Sequence, residues 1–222
     1  MTSSLWHAHG NTYLVADGAY DLADGKDGAV EVLSADGDSM EIAIVNPDGS
    51  RAEMSGNGTR IAGAWLMART GHDVAHVHVG PLAVVVRRVG DRLYESDMGA
   101  IEIHERELVD GIEVTPVIVG NPHAVVVGDP DDLPRIGPLL ETHPRFPNRT
   151  NVQIARIDGP GEVTARVWER GVGETTASGS SAVAVAAATH GEGEVVVHFP
   201  GGDLRVRIDG GRATLTGPAE PV

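Results

Sequence analysis

A small hydroxyl residue stands immediately before glycine at two expected helix starts, Ser55-Gly56-Asn57-Gly58 and Ser178-Gly179-Ser180-Ser181. The first N–H groups of a helix lack intrahelical acceptors and carry the positive end of the backbone dipole, so such a place attracts anions. Two of them facing one another would hold a carboxylate and stabilise charge developing on it as an enolate. The same residues also suit a purely structural role, since Ser is a preferred N-cap and Gly permits close packing. Polar residues gather just ahead of each start: Asn46, Asp48, Ser50 and Glu53 before the first, Glu169, Arg170, Glu174 and Thr175 before the second. Arg170, beside Gly171, has the planar fork that clamps a carboxylate through two hydrogen bonds, or forms a surface ion pair.

Other chemistries find less support. His7-Ala8-His9 and His76-Val77-His78 put paired imidazoles on one strand face, yet no carboxylate cluster accompanies them, and no metal site is expected. Gly171-Val172-Gly173 lacks the third glycine of a dinucleotide fingerprint. Neither serine lies in Gly-x-Ser-x-Gly, because Glu53 and Thr176 hold the first position. The 222 residues contain no cysteine, which excludes disulfides, thiolate metal sites and a cysteine nucleophile. Pyridoxal phosphate would need a buried lysine, and Lys26, in an Asp/Gly-rich stretch, is a poor candidate. A net charge of −15 argues against nucleic acid as partner, since phosphate contacts need clustered Lys and Arg. The start lacks a basic and then apolar leader, and no run approaches the ~18 apolar residues of a membrane span. A cytoplasmic protein without membrane partner is the expectation.

The elements that must position these residues repeat. Gly10-Asn11 followed by an apolar run resembles Gly120-Asn121-Pro122-His123 and its own apolar run. Val30–Gly37 matches Val152–Gly159, each ending in Asp-Gly, a hairpin signal because Gly supplies positive φ. Ser55-Gly56 corresponds to Ser178-Gly179, and His78-Val79-Gly80-Pro81-Leu82 recurs around His198–Leu204. Each half then reads as several strands, one helix opening at Ser-Gly, and further strands. The helices are expected over about residues 57–69, with Ile61, Ala62, Trp65 and Leu66 on one face, and 180–189, almost all Ala and Val and therefore buried. An α+β fold follows: two pseudo-twofold-related repeats, residues 1–108 and 109–222, each a barrel-like sheet around a central helix, with the site in the cleft between them. The charged stretch Gly99–Thr115 is expected as a linker. Pro130–Pro147 is expected as a loop-and-helix insertion, with Leu133, Ile136, Leu139 and Leu140 at helical spacing.

Asn46–Arg60 and Trp168–Gly179 closely resemble the two signature motifs of the diaminopimelate epimerase family. His9-Gly10-Asn11, Val119–His123, Glu141-Thr142-His143-Pro144, Arg149–Val152 and Pro200–Leu204 fit the same family in the same order. The resemblance implies cofactor-independent inversion of an amino-acid α-carbon, LL- to meso-diaminopimelate in lysine and cell-wall synthesis. One base removes the α-proton and the conjugate acid of a second returns a proton on the other face. The family's two cysteine bases fall at Ser55 and Ser178 in this chain. By the same resemblance Asn11, Asn46, Asn121, Asn151, Glu169 and Arg170 bind the distal end of the substrate. Gly56-Asn57 and Gly179-Ser180 present N–H groups to the reacting carboxylate, and His123 and Glu169 support the bases. No cofactor is implied, the partner is a small amino acid, and a homodimer is compatible with the reading.

The chain departs from the family where its two cysteines are serine, and where the helix after the first strand is missing between Asp17 and Val30. An alcohol is a far weaker acid than a thiol, and a base mismatched to the operating pH is ineffective. Two alternatives therefore stand beside the epimerase: another proton-transfer isomerase using Glu53, Glu169 or Glu174, and an amino-acid-binding homologue that has lost catalysis.

Overall fold

The computed structural model describes residues 2–9, 11–22, 27–52 and 54–222. Its contacts divide the chain into two compact units, Met1–Asp97 with Thr216–Val222, and Met98–Leu215. No helix among the described residues is long and apolar enough to cross a membrane.

The first unit contains β1 (Thr2–Ala8), β2 (Asn11–Asp17), β3 (Ala29–Asp36), β4 (Ser39–Val45), the short β5 (Arg51–Ala52), α1 (Gly56–Thr70), β6 (Val74–Val79), β7 (Leu82–Gly90) and the first part of β8 (Leu93–Ala100). β1 and β2 pair antiparallel, β2 and β3 parallel, β3 and β4 antiparallel, β4 and β6 parallel, and β6 and β7 antiparallel. The Asp36-Gly37 turn closes the β3–β4 hairpin, with Gly37 at φ 58° and Asp36 opposite Ser39. Among the described residues between Asp17 and Ala29 there is no α-helix. Tyr20 and Leu22 pack there on Leu14, Ala29 and Val45.

The second unit contains β9 (Glu102–Ile103), β10 (Glu107–Val109), β11 (Ile112–Ile118), β12 (Pro122–Val127), α2 (Leu133–Glu141), β13 (Asn151–Gly159), β14 (Glu162–Glu169), β15 (Gly173–Thr175), α3 (Gly179–Thr189), β16 (Gly193–Phe199), β17 (Gly202–Asp209) and β18, which begins at Arg212. Its pairings run in the same succession: β11–β12 antiparallel, β12–β13 parallel, β13–β14 antiparallel, β14–β16 parallel and β16–β17 antiparallel. The stretch expected as a linker, Gly99–Thr115, instead carries β9, β10 and the start of β11. Its many acids mask the alternation, yet Ile101, Val109 and Val114 are buried between them.

Each unit wraps its strands around a helix. α1 packs against β1, β2, β3, β4, β6 and β7, and α3 against β11, β12, β13, β14, β16 and β17. Both helices exceed the one-sided burial expected of a surface helix. Every residue of α1 from Gly56 to Met67 is buried, and so is the Ala182–Ala187 run of α3. The price of such close approach is small side chains. A Cβ on Gly63 would lie 2.6 Å from Val86 Cβ and 2.9 Å from both Val86 methyl carbons, so α1 reaches β7 only as glycine at that position. In the inserted α2, Leu133, Ile136 and Leu140 face the core. Leu139, expected with them, is 59% exposed, because it lies about 100° around the helix from its neighbour Leu140, beyond the edge of the buried stripe.

Gly63→Ala is expected to destabilise the protein by about 1–3 kcal/mol through overpacking, and Val86→Ala to recover part of that loss in the double variant. Urea denaturation of the four-protein cycle measures it. Equal loss in both backgrounds would show that the α1–β7 contact is not the cause.

Candidate active site

The two Ser-Gly helix starts are alike in backbone and unlike in side chain. Ser55 has φ −142° and ψ 121°, and Ser178 has φ −146° and ψ 131°, extended values that suit an N-cap. Ser55 Oγ accepts from the Gly58 N–H at 3.0 Å and lies 3.4 Å from the Tyr13 hydroxyl. Its carbonyl accepts from Thr59 N at 2.9 Å. The structural role of Ser55 is thus realised, while the Gly56 and Asn57 N–H groups stay outside that cap. Ser178 is buried, and its hydroxyl makes no cap bond. The first turn of α3 therefore keeps its N–H groups clear of a capping hydroxyl, unlike that of α1.

Buried polar side chains gather close to each start. In the first unit Asn57 donates from Nδ2 to Asn11 Oδ1 at 2.6 Å, and its own Oδ1 accepts from Arg60 at 2.7 Å. Asn46 lies apart from this group: its Nδ2 donates to Ser50 Oγ at 3.0 Å, inside a turn where Asp48 accepts from both the Ser50 amide and hydroxyl. Glu53 lies outside the described residues.

The second unit carries a longer polar chain. His123 is buried, its Nε2 donates to Asn121 Oδ1 at 2.7 Å, and its Nδ1 accepts from Gln153 Nε2 at 3.0 Å. Gln153 Nε2 also donates to Ser181 Oγ in the first turn of α3, at 2.9 Å. Burial pushes the His123 pKa down to about 3, so the ring is neutral and its single proton sits on Nε2, facing Asn121. Asn151 ties two strands to a loop: Oδ1 accepts from the Arg170 amide at 3.0 Å and Nδ2 donates to the Pro122 carbonyl at 2.9 Å. The Arg170 guanidinium reaches the Asn148 carbonyl at 3.2 Å.

Glu169 is the titratable group of this loop. Its side chain keeps some exposure, but the carboxyl is closely surrounded by protein and accepts from the Thr175 hydroxyl at 2.5 Å. Loss of hydration raises its pKa, and the Thr175 bond opposes that only in part. Glu174, the neighbouring acid, is instead held by Arg166 at 2.7 Å on the surface.

Sequence reasoning missed the group that shapes this loop. The buried Glu141 carboxylate accepts from the Gly171 amide at 2.7 Å and Trp168 Nε1 at 2.8 Å, and pairs with Arg149. One carboxylate at the end of α2 thereby holds the Trp168 side chain and the Gly171 backbone on either side of Glu169-Arg170. Its place in the Glu141-Thr142-His143-Pro144 motif was the available signal. The buried Gln153 and Arg60 were missed as well. Among the described residues no cluster of three His, Asp or Glu side chains is arranged to hold a metal ion.

Comparisons with known proteins add to this geometry. The family model "Diaminopimelate epimerase" matches residues 115–222. A diaminopimelate epimerase of Desulforudis audaxviator is 39% identical over 90% of this chain and 84% of its own length. One from Pelotomaculum thermopropionicum is 36% identical over 89% of this chain and 82% of its own. The fold matches the solved structure of a predicted epimerase from Pseudomonas aeruginosa, with a TM-score of 0.78 at 19% identity, over 99% of this chain and 96% of that one.

Because the folded-state pKa of Glu169 is raised, the fold favours its protonated form. The associated stability is present below the unfolded carboxylate pKa and is lost as pH rises through the folded value. Glu169→Gln is therefore expected to raise Tm relative to wild type near neutral pH, and the gain to vanish in acid. Thermal melts from pH 4 to pH 8 read this, and a gain independent of pH would assign it to something other than the titration.

Proposed function

Because this chain belongs to the diaminopimelate epimerase family, we propose that it inverts the α-carbon of an amino acid, diaminopimelate, without a cofactor. The observation that carries the reading is the pair of equivalent helix starts, Ser55-Gly56-Asn57 and Ser178-Gly179-Ser180, each next to a network of buried amides. Free N–H groups at these starts would hold the reacting carboxylate. As the Cα–H bond breaks, its electron pair moves into the carboxylate to give an enolate, and N–H donors stabilise that charge more in the transition state than in the ground state. Reprotonation from the opposite face completes inversion.

Ser55 and Ser178 occupy the two positions from which protons would be taken and returned. A hydroxyl at neutral pH is a weak base, so a slow reaction is expected from this pair. Asn11, Asn46, Asn121, Asn151, Glu169 and Arg170 would bind the remainder of the substrate, with His123 as a neutral support. Asn151 already commits both ends of its amide to protein, so in this reading it acts on the substrate by holding the Arg170 loop. A cytoplasmic location in lysine and cell-wall synthesis belongs to the same reading. A second reading rests on Glu169, whose enclosed carboxyl with raised pKa suits it to proton transfer in place of a serine.

Solvent deuterium incorporation at Cα of LL- and meso-diaminopimelate tests both. Slow incorporation is expected in wild type, lost in Ser55→Ala and Ser178→Ala, and faster by roughly 10²–10⁴-fold in the Ser55→Cys/Ser178→Cys double variant. Incorporation that survives both alanine changes but not Glu169→Gln would transfer the chemistry to the carboxylate. No incorporation in wild type or in the double cysteine variant would overturn the epimerase reading.

A further inference from the structure

Arg60 is fully buried in the second turn of α1, and no carboxylate pairs with it among the described residues. Its Nε donates to the Pro218 carbonyl at 3.0 Å, one terminal nitrogen donates to Asn57 Oδ1 at 2.7 Å, and the other terminal nitrogen is buried without a partner. An unpaired buried charge is costly, so a guanidinium retained in this position calls for a reason beyond packing.

The reason lies in what arginine can do. A guanidinium only donates hydrogen bonds. Whatever faces it must be an acceptor, so Asn57 must turn its oxygen toward Arg60 and its NH₂ away. That NH₂ meets Asn11 at 2.6 Å, and so Asn11 must turn its own oxygen toward Asn57. The donor-only character of Arg60 thus passes through two amides and emerges as the Asn11 NH₂, which has no protein partner among the described residues and sits at a half-buried position. An ordinary asparagine offers a ligand either a donor or an acceptor. This one is wired to offer a donor. The uncompensated positive charge behind it adds in the same direction, since helical side chains lean toward the N-terminus and bring the guanidinium beneath the first turn of α1.

We propose that Arg60 is a positioning residue that, through Asn57, commits Asn11 to donating to a carboxylate of the bound amino acid rather than accepting from its ammonium group. This rests on the diaminopimelate reading for the ligand, but the orientation of the amides does not. The two parts separate in the test.

Asn11→Asp keeps an oxygen toward Asn57 and replaces the outward NH₂ by a carboxylate oxygen. Its Tm in the absence of ligand is expected to match that of wild type. Its affinity for LL-diaminopimelate by titration calorimetry is expected to fall tenfold or more, because like charges meet. In the Arg60→Met background, where Asn57 and Asn11 are free to turn over, affinity should already be lower, and the further loss on Asn11→Asp should shrink. A merely structural Arg60 would lower Tm and affinity in both backgrounds and leave the Asn11→Asp ratio unchanged. A large drop in Tm for Asn11→Asp alone would show that Asn11 points the other way and would overturn the wiring. Unchanged or tighter binding of diaminopimelate by Asn11→Asp would overturn the carboxylate assignment. Should wild type bind no diaminopimelate, the ligand reading fails and the carboxylate assignment with it, while the Tm comparison still decides the orientation.

Discussion

A helix enclosed by strands has only its ends through which backbone polarity can reach a ligand, and this constraint governs the molecule. The sides of α1 and α3 meet apolar strand faces and are covered, so the interior i to i−4 bonds satisfy every peptide group except those of the first and last turns. In α1 the last turn closes in an ordinary way, with the Gly71 N–H on the Met67 carbonyl at 2.9 Å. What remains unsatisfied is concentrated at the first turns. The burial that stabilises each unit thus leaves unpaired N–H groups only at the start of its helix, and the shared order of strand pairing in the two units does so twice.

The two sites then diverge in their surroundings. Around the start of α1 the polar group behind the amides is a fixed cation, Arg60, and the hydroxyl at the cap is engaged by Gly58. Around the start of α3 the buried groups are a neutral His123 and the Gln153 amide, with the Arg170 cation helping to keep His123 neutral and burial disfavouring ionisation of Glu169. Equivalent backbones therefore carry unequal electrostatics, and an inversion that needs one proton acceptor and one proton donor is served by such inequality. Gln153 adds rigidity of a different kind. It donates to both His123 and Ser181 while its oxygen stays buried without a partner, an arrangement that ties the first turn of α3 to β12 and β13 at some cost.

Much of this was legible from local signals. Ser-Gly marked both helix starts because capping depends on residues within one turn, and α1 and α3 begin one residue before the expected positions. Asp36-Gly37 marked its hairpin because positive φ selects glycine. The composition of Ala182–Ala188 announced a buried helix. Features that depend on distant partners were not legible. Arg60 reads as a solvent-facing helix charge until the Pro218 carbonyl, far away in sequence, is seen beside it. Glu141 reads as a surface acid at a helix end, and only the fold brings Arg149, Trp168 and Gly171 to it. The acids of Gly99–Thr115 hid three strands because alternate positions, not the average polarity, decide a strand.

The absence of cysteine acquires its meaning from this division. Positions 55 and 178 are defined by backbone geometry that any small residue can adopt, so the fold does not depend on which nucleophilic atom they carry. The polar networks behind them are another matter. Arg60, Asn57 and Asn11 form one chain, and His123, Gln153 and Ser181 another. Glu141 and Asn151 hold the Arg170 loop from two sides. Each set places donors or acceptors in orientations that packing alone would not require, and each carries the penalty of buried polar groups, including orphaned atoms on Arg60 and Gln153. Such cost is what a pocket for a charged ligand would carry in the reading proposed above. In that epimerase reading, ligand recognition would reside in the amide and guanidinium networks, and the rate of proton transfer in the atoms carried at positions 55 and 178.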